Sequence, residues 1–192
     1  MKTIQWGRSD QMGLEAVLWL VPVAGAVSLV VRVVHAVRDQ AIRLPTTLPD
    51  SILPPRDGLT GPYEGTVVLA DPTASQHLVH LLPHLVGVLL AVAVAGLLLG
   101  AVRDLGAGDP FTPSSARRLQ ALAVVVVFGG LLVQVVAEAA RDHLVHQVTG
   151  LGDLPRVFEL SFWPVAAALV IAFLSEVFSR GVALREDVEG LV

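Results

Sequence analysis

Histidine is the residue type in this chain whose spacing best suits a chemical role. Three histidines, His77, His80 and His84, follow each other at i, i+3 and i+7, so they share one face of a helix. Two more, His143 and His146, stand three residues apart just beyond a later apolar run. Imidazole nitrogen is a common ligand of Zn²⁺ and similar ions. The spacing therefore predicts a metal site that gathers these five side chains.

Two other interpretations of the same histidines stay open at this point. An unperturbed imidazole titrates near pH 6.5, so a histidine cluster can respond to external acidity. Alternatively, each histidine is an independent, hydrated side chain that lies at the boundary of an apolar layer. The pattern is not a recognised catalytic signature such as H-E-x-x-H.

Composition and charge exclude several classes of site. The chain has no cysteine, which excludes disulfides, thiolate metal sites and cysteine nucleophiles. Its net charge of −4 argues against direct nucleic-acid binding, which is marked by a basic patch. The sequence also has no spaced acid and base pair, nucleophile elbow or phosphate-cradling loop. We therefore expect a protein that is not an enzyme and needs no cofactor.

The elements that carry these side chains are long apolar runs. The chain is 54% hydrophobic and 16% charged, whereas soluble domains are about 45–50% apolar and about 25% charged. A helix that crosses the lipid bilayer needs about 20 predominantly apolar residues. Four runs meet this condition, at about residues 14–37, 77–102, 116–140 and 157–178. They predict an all-α integral membrane protein, in which one membrane domain of residues 1–192 forms an antiparallel four-helix transmembrane bundle.

The first two runs each raise a further question. Ala24-Gly25-Ala26 resembles a signal-peptide cleavage site, but the apolar run continues well past it, which favours a retained span. In the second run, Gly96 and Gly100 have the Gly-x-x-x-Gly spacing that allows two helices to approach closely, as in a homo-oligomer. Small residues are common in Ala- and Gly-rich spans, so this spacing also arises without a partner.

Residues 38–75 differ in character from the runs around them. Prolines recur throughout this segment, and glycines mark turns. Two fragments, Ala41 to Leu44 and Thr66 to Ala70, have the composition of short strands. We expect a small, partly extended segment outside the membrane.

The distribution of basic residues predicts the orientation of the chain. With four spans, both termini, the loop of residues 103–115 and the tail of residues 179–192 lie on one side. That side, counted with Arg117 and Arg118 at the start of the third span, carries seven Lys and Arg residues against five on the other, which has the longer stretch of chain. Cytoplasmic segments carry the excess of Lys and Arg. We therefore expect a multi-pass protein of a bacterial cell membrane, with both termini in the cytoplasm.

The loop between the second and third spans is built as a tight, capped turn. Thr112 is a suitable N-cap and Pro113 a suitable first helical residue. This turn and a positive-inside signal account for most of the residues present. The alternative is a docking surface for a cytoplasmic regulatory protein, formed by the loop and the tail. Its candidate residues are Asp109, Phe111, Arg117, Arg118, Arg185, Asp187 and Glu189.

The same two cytoplasmic segments resemble a known bacterial membrane family, domain of unknown function 2975. The resemblance rests on Gly108-Asp109-Pro110-Phe111 followed by Arg117-Arg118-Leu119, and on the tail Leu184-Arg185-Glu186-Asp187-Val188-Glu189-Gly190-Leu191-Val192. Ser115 stands where the family has Asn, and Leu191 where it has Thr. The resemblance implies four spans and no known activity. Members are often described beside small helix-turn-helix regulators, which implies a regulator as a partner.

Overall fold

Four long helices and one β-hairpin make up the described part of the protein. A computed structural model describes residues 8–38, 41–48, 63–106, 113–149 and 160–189. Its elements are α1 Arg8–Val37, β1 Ile42–Leu48, β2 Tyr63–Leu69, α2 Ala74–Gly106, α3 Pro113–Thr149 and α4 Trp163–Glu189. Each helix contains a stretch long and apolar enough to cross a membrane: Met12–Val37, Ala74–Arg103, Ser114–Gln147 and Trp163–Leu184. The prediction of four such helices with a partly extended segment is confirmed for these residues.

Helix α4 begins later than the apolar run that predicted it. The run was expected to become helical at about residue 157, but residues 160–162 are not helical and the helix begins at Trp163. Phe162 acts as the N-cap, since its carbonyl accepts a hydrogen bond of 3.0 Å from the Ala166 N–H. Pro164 follows in the first turn, where its fixed φ suits a helix and its missing N–H costs nothing. Residues 157–159 lie outside the described part of the chain.

Helix α3 ends later than predicted. Its apolar run stops near residue 140, yet the helix continues to Thr149. In this extension Leu144 and Val145 are buried, whereas His143 is exposed. His146 and Asp142 are paired one turn apart on the same helix, with 3.3 Å between Nδ1 and Oδ1. The extension is therefore an amphipathic helical end, which the polar composition of these residues concealed.

The described residues form two compact units. The first contains the described residues of Met1–Ser28, Val86–Leu132 and Ser161–Val192. Within it, consecutive helices are antiparallel. Two contacts join each neighbouring pair of helices, and the contact that lies nearer the start of one helix lies nearer the end of the other. Helices α1 and α2 are joined by Glu15 with Arg103 and by Gly25 with Val88. Helices α2 and α3 are joined by Gly100 with Arg118 and by Gly129 with Leu90. Helices α3 and α4 are joined by Ala116 with Ser175 and by Gly130 with Pro164.

The second unit contains the hairpin and the helical segments around it, within Leu29–Leu85 and Val133–Leu160. Strands β1 and β2 are antiparallel, with a register from Ile42 opposite Leu69 to Leu48 opposite Tyr63. Alternate residues of a strand face opposite sides. Ile42 and Leu44 are therefore buried together with Leu69, against Leu144 of α3. The strands predicted at Ala41–Leu44 and Thr66–Ala70 are present but longer than expected.

Candidate functional site

Helix α2 begins with a capping box that positions the first histidine. Thr73 and Gln76 are bonded reciprocally: the Thr73 N–H donates to Oε1 of Gln76 at 2.8 Å, and the Gln76 N–H donates to Oγ1 of Thr73 at 3.4 Å. The His77 N–H donates to the Thr73 carbonyl at 3.0 Å. His77 is therefore held in the first turn of the helix, where its side chain is only 8% exposed.

The two following histidines of α2 lie against each other. The ring centroids of His80 and His84 are 5.9 Å apart, with 50° between the ring planes. Nδ1 of His84 donates to the His80 carbonyl at 3.3 Å. Both side chains are half-buried. The i, i+3, i+7 spacing thus does place these rings along one side of the helix.

The histidines of α3 are engaged in hydrogen bonds of their own. Nε2 of Gln76 donates to Oε1 of Gln147 at 3.1 Å, and the Gln147 amide nitrogen is hydrogen-bonded to Nε2 of His143 at 2.9 Å. These two bonds link the first turn of α2 to the end of α3. One turn further along α3, Nδ1 of His146 donates to the Asp142 carbonyl at 2.9 Å.

The described geometry does not bring the five predicted metal ligands together. All five histidines lie within the described ranges, and these ranges contain no group of three or more His, Asp or Glu side chains that could hold a metal ion. His80 and His84 are adjacent, whereas His143 and His146 each bond within α3. A shared metal site therefore stays a prediction without support from this geometry.

A cavity of about 270 Å³ lies beside the first turns of α2. Its lining comes from the end of α1, from β1 with the residue before it, and from α2. The basic side chains that line it are Arg32, His35, Arg43, His77 and His80. The other lining residues are aliphatic, and none of the described lining residues is acidic. The cavity is consequently a basic site with apolar walls.

At the C-terminal end of α2, the two arginines of the predicted docking surface have different surroundings. Arg117 is exposed, whereas Arg118 donates from Nη1 to the Gly100 carbonyl of α2. Arg118 thus bonds to a backbone carbonyl of α2 and joins α2 to α3. Asp109 and Phe111 lie outside the described residues. The backbone of Arg185, Asp187 and Glu189 belongs to α4, but their side chains are not among those described.

Three basic residues that line the cavity were not recognised as site residues from the sequence. Arg32 and His35 belong to α1, and Arg43 belongs to β1. Nothing in their spacing relates them to His77 on α2, because their proximity depends on how the hairpin folds back. One signal was present: Arg32 is a charged residue near the end of an apolar run, and such residues are usually paired or functional.

Comparison with known proteins finds no relative for this chain. No family model, curated protein or solved structure matches it. The resemblance to the domain of unknown function 2975 therefore remains a prediction.

Proposed function

We propose that this chain is a multi-pass integral membrane protein and not an enzyme. The observation that supports this is the apolar surface that the helices leave uncovered. Large side chains such as Phe128 (68% exposed), Phe173 (69%) and Leu169 (66%) are open on α3 and α4, and α1 and α2 expose Val and Leu in the same way. Soluble monomers rarely expose continuous apolar patches above a few hundred Å². Lipid is the solvent that such helices require.

The orientation we propose puts residues 38–75 outside the cytoplasm, and the 103–115 loop and both termini inside. Because the chain has no cysteine, single cysteines can be labelled without background. Thr66, exposed on β2, and Ser114, exposed at the start of α3, are suitable positions. In intact bacterial cells a membrane-impermeant maleimide is expected to label Thr66→Cys at once, and Ser114→Cys only after permeabilisation. The opposite labelling pattern would overturn the orientation.

The role we propose is that of a signalling or regulatory partner that acts through the cytoplasmic loop and tail. Two contacts support a defined surface there. Arg118 joins α2 to α3, and Oγ of Ser175 donates to the Ala116 carbonyl at 3.1 Å, which joins α3 to α4. Ser175 is 2% exposed, so this bond is buried. The start of α3 is therefore bonded to both neighbouring helices, with the exposed Arg117 beside it.

Partner capture tests this role. Proteins that co-purify with the full chain from membranes would be compared with those captured by Arg117→Ala, by Phe111→Ala and by a variant truncated after Leu184. A cytoplasmic regulatory protein is expected to be lost from all three variants. Arg38→Ala, an exposed arginine at the end of α1, serves as the control and should retain it. Identical partner sets for all variants would contradict the proposal.

A second candidate function is a response to a metal ion or to pH through the histidines. The adjacency of the His80 and His84 rings, one turn after His77, favours the response to pH, whereas the response to a metal ion is supported only by the spacing in the sequence. The test is Zn²⁺ binding by purified protein, measured for the wild type and for a variant with all three histidines replaced by glutamine. We expect the affinity to fall in the variant. Unchanged affinity would dismiss the site.

A further inference from the structure

We propose that the cavity beside the first turns of α2 is a binding site for a phosphate group. This goes beyond the membrane and docking roles proposed above, and of the residues it uses only His77 and His80 also belong to the second candidate function. The argument depends on the charge of the cavity, on two unpartnered buried nitrogen atoms of residues that line it, and on its size and position.

The charge of the cavity favours an anion. Two of its lining residues, Arg32 and Arg43, carry permanent positive charge, and three imidazoles stand with them. No acidic side chain is present among the described residues that line it. Cations gathered in a partly buried place repel each other and lose hydration, and both costs fall when an anion binds. A metal cation would add to the same repulsion, so this cavity selects the opposite sign of ligand.

Two residues that line the cavity each carry a buried nitrogen with no hydrogen-bond partner among the described residues: Nε of Arg32 and Nε2 of His77. Nε of arginine is always a donor, and Nε2 of histidine is a donor when it carries the proton. Buried polar atoms in folded proteins are nearly always satisfied, so two unpartnered donors on residues that line one cavity favour a ligand that can accept hydrogen bonds. An anionic oxygen is the acceptor that suits both atoms. A water molecule can accept hydrogen bonds from both donors, but it leaves the positive charge uncompensated.

The size and position of the cavity further restrict the class of ligand that it can bind. At about 270 Å³, the cavity is slightly smaller than the pockets of about 300–1,000 Å³ that hold drug-sized ligands. Its basic groups come from α1, β1 and α2, and donors from three elements suit a tetrahedral phosphate better than a planar carboxylate. Arg32 lies in the last two turns of α1, and His77 in the first turn of α2. Phosphate of two sources can reach the boundary of a membrane: a free anion and the headgroup of an anionic lipid.

The binding experiment uses the full chain purified in a phosphate-free maltoside detergent. Inorganic phosphate, short-chain phosphatidylglycerol and acetate would be titrated separately at constant ionic strength. Binding would be followed by calorimetry and by the rise in unfolding midpoint that a native-state ligand produces. Binding of inorganic phosphate identifies a site for the free anion, and binding of the lipid alone identifies a headgroup site. Binding of neither, or equal binding of acetate, would overturn the assignment.

Three variants connect the binding to the cavity. Arg32→Lys retains the charge but removes the buried Nε–H, so phosphate affinity should fall about tenfold or more, as for a lost hydrogen bond to a charged group. Arg43→Gln, on the exposed side of β1, should weaken binding with little effect on folding, which the unfolding midpoint without phosphate checks. Arg38→Gln is the matched control, because this arginine also ends α1 but does not line the cavity. If Arg38→Gln weakens binding as much as Arg32→Lys does, diffuse charge accounts for the binding and the site is refuted.

Discussion

Replacing Leu144 by alanine is expected to release the β-hairpin from the helices that hold it. Leu144 is 1% exposed and packs in a cluster with Ile42, Leu44 and Leu69 of the two strands. A two-stranded hairpin alone is marginally stable in water, so its order depends on this packing. The substitution removes the largest fully buried side chain described in the protein.

The size of the effect follows from the burial. A fully buried Leu→Ala change costs about 2–5 kcal/mol, which includes the lost transfer energy and the cavity left behind. Since about 1.4 kcal/mol corresponds to a factor of ten, the equilibrium constant for docking of the hairpin should fall roughly 30-fold even at the lower end. The apolar runs of the four helices do not depend on Leu144, so membrane insertion should be unchanged.

Amide hydrogen exchange of the protein in lipid nanodiscs measures this release. Backbone amides of β1 and β2 are expected to exchange at least about tenfold faster in Leu144→Ala than in the wild type, while those of α4 exchange as before. Leu132→Ala is the matched control, because Leu132 belongs to the same helix and is 53% exposed. Strand amides that exchange equally in both variants and the wild type would refute the packing argument.

Two further predictions concern helix contacts. Gly130→Ala should lower the unfolding midpoint at a cost of about 1–3 kcal/mol, because the new Cβ would lie 2.5 Å from Cβ of the rigid Pro164 ring. Gly96→Ala, where nothing lies within 4 Å, should leave the midpoint unchanged or raise it; an equal loss in both variants would contradict the reasoning. Gln76→Glu keeps the acceptor of the capping box but loses the donor to Gln147. It should lower the free energy of unfolding, measured with denaturant, by about 1 kcal/mol. Amide hydrogen exchange in the first turn of α2 should stay slow. Loss of protection in that turn would show that the cap itself had been broken.

The helices were predictable because each is determined by local composition. The long apolar run of α2 and the start of α3 at Pro113 depend only on neighbouring residues. The end of α3 was not predictable in this way. Its polar residues predicted a segment that connects two spans. The burial of Leu144 and Val145 depends on strands that lie about 75–100 residues earlier in the chain. Long-range packing decided the helix boundary there.

The same limit applies to the candidate site. The spacing of His77, His80 and His84 predicted one shared side of α2, and the rings of His80 and His84 lie next to each other there. It gave no information on Arg32 or Arg43, which reach the cavity only because the chain turns back after α1 and forms the hairpin. Basic side chains that come together from separate helices and strands leave no recognisable pattern in a single stretch of sequence.

The capping box of α2 also determines where a proton resides on α3. The Thr73 backbone N–H can only donate, so Oε1 of Gln76 is the acceptor and its amide nitrogen faces Oε1 of Gln147. The amide nitrogen of Gln147 must then donate to Nε2 of His143, which requires the neutral ring with its proton on Nδ1. In this tautomer the lone pair of Nε2 accepts the hydrogen bond and Nδ1 carries the proton. While the cap stays closed, His143 therefore has no lone pair to offer a cation, and a cap on one helix selects the tautomer of an imidazole on another.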